Sequence, residues 1–176
     1  MEIKGVVFLY TLSGLMITFA GFSALLWAVR QAAGAKLSPL DRFIAKTVMT
    51  YIFILTAGAL LPALLALYDL PEKWIWPGSG LLFGLPMLYL QATYPGRRRK
   101  VVGQGPPPVI FAVFVLFGSA VTLGMLGYVL MGFPYGSAVY VTALTIDFFT
   151  VIFSFLAAID IIMEQPKDVP KRPAPR

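Results

Sequence analysis

The chain has no cysteine and no histidine, and no asparagine occurs anywhere in it. Without cysteine there is no disulfide framework, no thiolate nucleophile and no iron–sulfur ligation. Lack of histidine removes the commonest zinc ligand, the usual b-type haem ligand and the physiological-pH switch. The missing asparagine removes N-glycosylation acceptors. Charge is scarce too: 12% of the 176 residues are charged while 59% are hydrophobic, and mean hydropathy is +0.81. A soluble domain carries about twice that charged share. No P-loop, HExxH or GxSxG in a strand–turn–helix setting is present, and no metal-ligand cluster. No metal or cofactor is therefore expected, and no enzyme activity.

What the chain does have is long apolar runs. Five are read as transmembrane helices: about 5–29, 43–68, 74–94, 109–131 and 138–163. Each is long enough to cross a hydrocarbon core of about 30 Å with some tilt. The expected fold is all-α, an integral membrane bundle of five spans (1–163) with no room for a soluble domain between them. Segment 164–176, basic and rich in proline, is expected to form a disordered tail. Ala33-Gly34-Ala35 resembles a cleavage site, but the apolar run before it exceeds the core of a signal peptide, so it is read as a span.

The formal net charge of +6 does not point to nucleic acid, because of where the charges fall. Arg30, Lys36, Arg42, Lys46, Arg97, Arg98, Arg99, Lys100, Lys167, Lys171, Arg172 and Arg176 share one side of this topology, with Lys4 and Lys73 on the other. Such asymmetry places the basic side in the cytoplasm, with the N-terminus outside and the C-terminus inside. The expected location is a bacterial inner (plasma) membrane. The cluster Arg97, Arg98, Arg99 and Lys100 is read as a loop that sets topology or meets anionic lipid headgroups. Ser38-Pro39-Leu40-Asp41 spells an N-cap, a first-turn proline and an acid at the third position. Trp74, Trp76, Tyr68 and Tyr135 are expected in an outer aromatic belt, Trp27 and Tyr94 near an inner one.

The last span carries a carboxylate deep in its interior. Asp147 lies roughly 14 Å from the outer end of its run, near mid-depth. A charge there costs about 2.5–3.5 kcal/mol on insertion scales, so the side chain should face protein or water. Tyr140, Thr150 and Ser154 share its helical face and complete a candidate polar site. Two uses compete: a proton or cation relay, or an inter-helix hydrogen bond that holds the bundle. Thr11, Gly14, Thr18 and Gly21 form a small-residue stripe on the first span, expected to receive Asp147. Gly80 and Gly84 have GxxxG spacing on the third. Pro62 and Pro86 interrupt the hydrogen-bond ladders of spans two and three. Asp160 and Glu164, at the cytoplasmic end of span five, are expected to pair with Arg30, Arg42, Lys46 or Arg97–Lys100.

Short loops, glycine stripes and the absence of catalytic motifs point to a non-catalytic accessory, scaffold or oligomeric component. Its partners would be the bilayer, copies of itself or a membrane complex. The alternative is a small proton- or cation-coupled transporter or channel that uses Asp147.

Overall fold

In the computed structural model the protein is all-helical; residues 5–34 and 37–164 are described, 160–164 as backbone alone. Five long helices follow in order: α1 (Val6–Ala32), α2 (Pro39–Ala66), α3 (Glu72–Val102), α4 (Pro108–Leu130) and α5 (Gly136–Glu164). Their ends follow from local chemistry. Ser38 accepts from the Asp41 N–H at 3.1 Å, and Asp41 Oδ2 accepts from the Ser38 N–H at 2.8 Å, a reciprocal cap at the start of α2. Asp41 also pairs with Arg30 at 3.6 Å, tying α1 to α2. Gly103, at φ 78, closes α3 in the left-handed conformation that glycine adopts without strain. Tyr128 donates to the Pro134 carbonyl at 2.7 Å and braces the turn between α4 and α5.

Short connections make successive helices antiparallel, so one end of the bundle collects Arg30, Arg42, Lys46 and Arg97–Lys100. This is the basic end; the other is the far end. α1 lies against α2, with Phe19 edge-on to Phe148 and Phe155 of α5 at 5.9 and 5.4 Å. α2, α3, α4 and α5 surround the interior. Outward faces are apolar as well: Leu25, Phe53, Leu82, Phe117, Phe149 and Leu156 are all exposed. A surface of that kind needs an apolar solvent, which a bilayer supplies.

Among the described residues, four helices are long and apolar enough to cross a membrane: α1, α2, α4 and α5 over Gly136–Ile159. The third expected span falls short of that apolarity, although α3 is 31 residues long. Pro77, Gly78, Ser79, Gly80, Gly84, Pro86 and Gln91 dilute it. α3 also continues through Pro95, so Arg97–Lys100 stand on a helix rather than in a loop. Of the expected aromatic belts, Tyr68, Trp74 and Tyr135 are exposed. Trp76, Trp27 and Tyr94 are buried in the bundle, where their rings fill volume between helices.

The far half is closed by glycines. A Cβ on Gly80 would stand 2.9 Å from Val129, and one on Gly84 would stand 2.9 Å from Leu126, so α3 and α4 meet there. A Cβ on Gly58 of α2 would come within 2.7 Å of the Phe83 ring. Pro62 has no N–H, which leaves the Gly58 carbonyl without its partner one turn later. The Tyr140 hydroxyl of α5 donates to that carbonyl at 2.8 Å. A buried orphan acceptor is thereby satisfied across helices.

Candidate functional site

Asp147 is 1% exposed and sits where α5 meets α3 and α4. The Thr122 hydroxyl of α4 lies 3.0 Å from Asp147 Oδ2 and 3.0 Å from the Gly118 carbonyl. One hydroxyl proton thus has two acceptors. A protonated Asp147 resolves the count: the carboxyl donates to Thr122, and Thr122 donates to Gly118. Gly118 is required by what stands over it. A Cβ there would lie 2.7 Å from Gln91 Nε2 of α3 and 3.7 Å from Asp147 Oδ1. Gln91, 2% exposed, accepts from the Ser119 hydroxyl at 3.3 Å. Asp147 Oδ1 has no partner among the described residues. Immediately before Gly118, residues Phe111–Phe117 form a π-helical stretch, a distortion that often accompanies functional sites.

The four residues expected to form one polar face do different things. Tyr140 serves the α2 carbonyl described above. Thr150 donates to the Ile146 carbonyl of its own helix at 2.9 Å. Ser154 Oγ is buried without a partner among the described residues and lines a cavity on the basic side of Asp147. That cavity has a volume of about 40 Å³, room for a few waters. Thr47 and Tyr51 of α2, Tyr94 and Arg98 of α3, and Ile110 and Phe114 of α4 form walls facing Val151, Ser154 and Ala158 of α5. Tyr51 is fully buried, its hydroxyl likewise unpartnered, and its ring meets Phe114 edge-on at 4.6 Å.

The basic cluster divides in two. Arg97 bends back along α3 and donates to the Leu90 carbonyl at 3.1 Å, with its guanidinium beside the Tyr51 hydroxyl but outside the geometry of a full hydrogen bond. Arg98 is buried and donates to the Gly105 carbonyl. Arg99 and Lys100 remain exposed. Among the described residues no three metal-ligating side chains come together.

The stripe on α1 is not where it was expected. Gly14 and Gly21 have nothing within 4 Å, and Thr11 and Thr18 are exposed, each donating to its own helix. α1 turns Leu9, Leu12, Met16 and Trp27 inward, because these bulky side chains bury more apolar area than the stripe can. Asp147 accordingly finds α3 and α4, not Gly14 or Thr18. Side chains of Asp160 and Glu164, and the 165–176 tail, lie outside the described residues. Gln91 and Tyr51 were missed from sequence. Gln91 is the one amide side chain inside an expected span, and that was the available signal. No family model, curated protein or solved structure matches the chain.

Proposed function

We propose that the chain is a five-span protein of a bacterial inner (plasma) membrane with its basic end in the cytoplasm. In this reading it is a non-catalytic component: an accessory or scaffold subunit, or the unit of a homo-oligomer. The packed far half carries the proposal. Gly58, Gly80 and Gly84 bring neighbouring helices into close contact between Asp147 and the far end. Five crossings are supported by geometry: α2 ends at the far end and α4 begins at the basic end, so α3 must run the distance between. Arg99 and Lys100 are suited to anionic headgroups. The outward face of α1, with open space at Gly14 and Gly21, offers close approach to a helix of another copy or subunit.

Reporter fusions at Gly103 and Gly136 should read cytoplasmic and external respectively. Purified protein in mild detergent should run larger than one chain, and Gly14→Leu with Gly21→Leu should reduce that size without unfolding it. A monomer that conducts ions by itself would overturn the reading. A second reading, a small proton- or cation-coupled transporter or channel, is supported by one observation: the unpartnered Oδ1 of Asp147. Asp147→Asn would then abolish flux in reconstituted vesicles.

A further inference from the structure

The cavity and the carboxyl are stacked in register. At the cavity level stand Tyr51 of α2, Tyr94 of α3, Phe114 of α4 and Val151 of α5. One helical turn towards the far end, α3 presents Gln91, α4 presents Gly118 and α5 presents Asp147. The void therefore ends about one turn beneath the acid. Space alone does not hold water; a buried water needs two to four polar partners. Tyr51 Oη and Ser154 Oγ are buried hydroxyls without protein partners among the described residues, and both belong to the cavity wall. Thr47 and Arg98 add further polar groups to that wall.

We propose that water entering from the basic end occupies this cavity and, through the Tyr51 hydroxyl, gives Asp147 proton exchange with that side of the membrane alone. The far side is shut: Phe83, Met87 and Leu144 are at most 1% exposed, and the glycine contacts close the helices above them. Each hop is balanced. Tyr51 Oη and Asp147 Oδ1 share no direct hydrogen bond, so a second water bridges them. The protonated carboxyl gives its proton to that water, which passes one to Tyr51 Oη as Tyr51 gives its own to a cavity water. This leaves a carboxylate and a hydronium, and the reverse sequence restores the acid. Charged or titratable groups facing this route are Tyr51 from α2 and Tyr94, Arg97 and Arg98 from α3. Next to the lining residue Leu40, at the basic end, stand Asp41 of α2 and its partner Arg30 of α1. The one titratable side chain of α4, Tyr128, braces the far turn. α5 brings Asp147, the side chains of Asp160 and Glu164 lying outside the described residues. The proposal rests on Asp147 handling protons but does not require net transport.

The test is hydrogen–deuterium exchange at the carboxyl, followed by infrared spectroscopy on protein in lipid bilayers. The Asp147 band is the protonated-carboxyl band lost in Asp147→Asn. On transfer to heavy water it should shift within the mixing time in the native chain. Tyr51→Phe, which keeps the ring against Phe114, and Ser154→Leu, which fills the void, should each slow the shift at least tenfold. Ser154→Val replaces the leucine variant if that one does not fold. Ser79→Ala, in the far half, should leave the rate unchanged. Native-like rates in both Tyr51→Phe and the Ser154 variant would overturn the route. Equal slowing by Ser79→Ala, or no band lost in Asp147→Asn, would also overturn it. Proton flux is measured on the same vesicles. Exchange that depends on Tyr51 and Ser154 without flux upholds the route and sinks the transport reading; flux with exchange indifferent to both variants does the opposite.

Discussion

The two halves of the bundle draw on the same residue types and pack differently. In the far half, bare glycine backbones are met by side chains that come down onto them: Leu126 on Gly84, Val129 on Gly80, Phe83 on Gly58. In the basic half, Phe114 takes Tyr51 edge-on at 4.6 Å and Tyr94 at 5.1 Å. The cavity of about 40 Å³ lies beside these rings, although Phe83 and Tyr140 also meet edge-on, at 6.0 Å, in the far half. The consequence appears in polar accounting. Tyr140 in the far half closes an orphan carbonyl, and Ser79 Oγ is left without a partner there. Nearer the basic end, Tyr51 Oη, Ser154 Oγ, Arg97 Nε and Ser23 Oγ all lack a partner among the described residues. A small residue tightens a bundle only when its opposite number is shaped to fill the space. Beside Tyr51, Tyr94 and Phe114 the leftover volume has room for water.

The largest test of this contrast is Gly84→Leu. Its side chain would be driven into Leu126, and the separation of α3 from α4 should cost on the order of 3 kcal/mol, read from unfolding in detergent. Adding Leu126→Ala should recover part of the loss. Native stability in Gly84→Leu would mean that the far half is looser than described. A smaller effect is expected from Tyr140→Phe, about 1–3 kcal/mol, because the Gly58 carbonyl is left buried and unpaired. Pro62→Ala restores an N–H to that carbonyl within α2. In that background, Tyr140→Phe should cost much less, and an undiminished cost would show that the tyrosine acts through packing instead. The smallest effect belongs to Asp147→Asn. It preserves a hydrogen bond to Thr122 and removes any charge-burial penalty, so stability should hold or rise, by about 1 kcal/mol at most. A large loss would assign the carboxyl a structural role that the unpartnered Oδ1 does not suggest.

Much of this architecture was legible before any coordinates. Apolar runs between turn residues marked the helices, and Ser38-Pro39-Leu40-Asp41 marked the start of α2 to the residue. Burial of Asp147 followed from depth alone. Its neighbours did not, because periodicity identifies a face of one helix and says nothing about which helix it meets. The α1 stripe looked like a partner on size, yet Leu9 and Met16 on the opposite face had the stronger claim to the interior. Arg97 and Arg98 are expected in a loop because they fall between the third and fourth apolar runs, in the segment that starts at Pro95. The helix runs on because proline forfeits only one backbone donor, and the two arginines turn back onto carbonyls instead of extending to solvent.

The modest apolarity of α3 bears on how such a chain is made. α3 contributes Gln91, Gly80 and Gly84 to the interior, yet it is the one helix of the five too polar to meet the standard of a span. A helix like that gains little by partitioning into lipid alone, since its glycines and amide are rewarded only by neighbours. If α3 crosses the membrane as proposed, its integration would be a cooperative event, with α2 held beside the insertion machinery until α3, and then α4, arrived to share the burial. The glycines that bring α3 against α4 in the finished bundle would also make this middle helix dependent on company during synthesis.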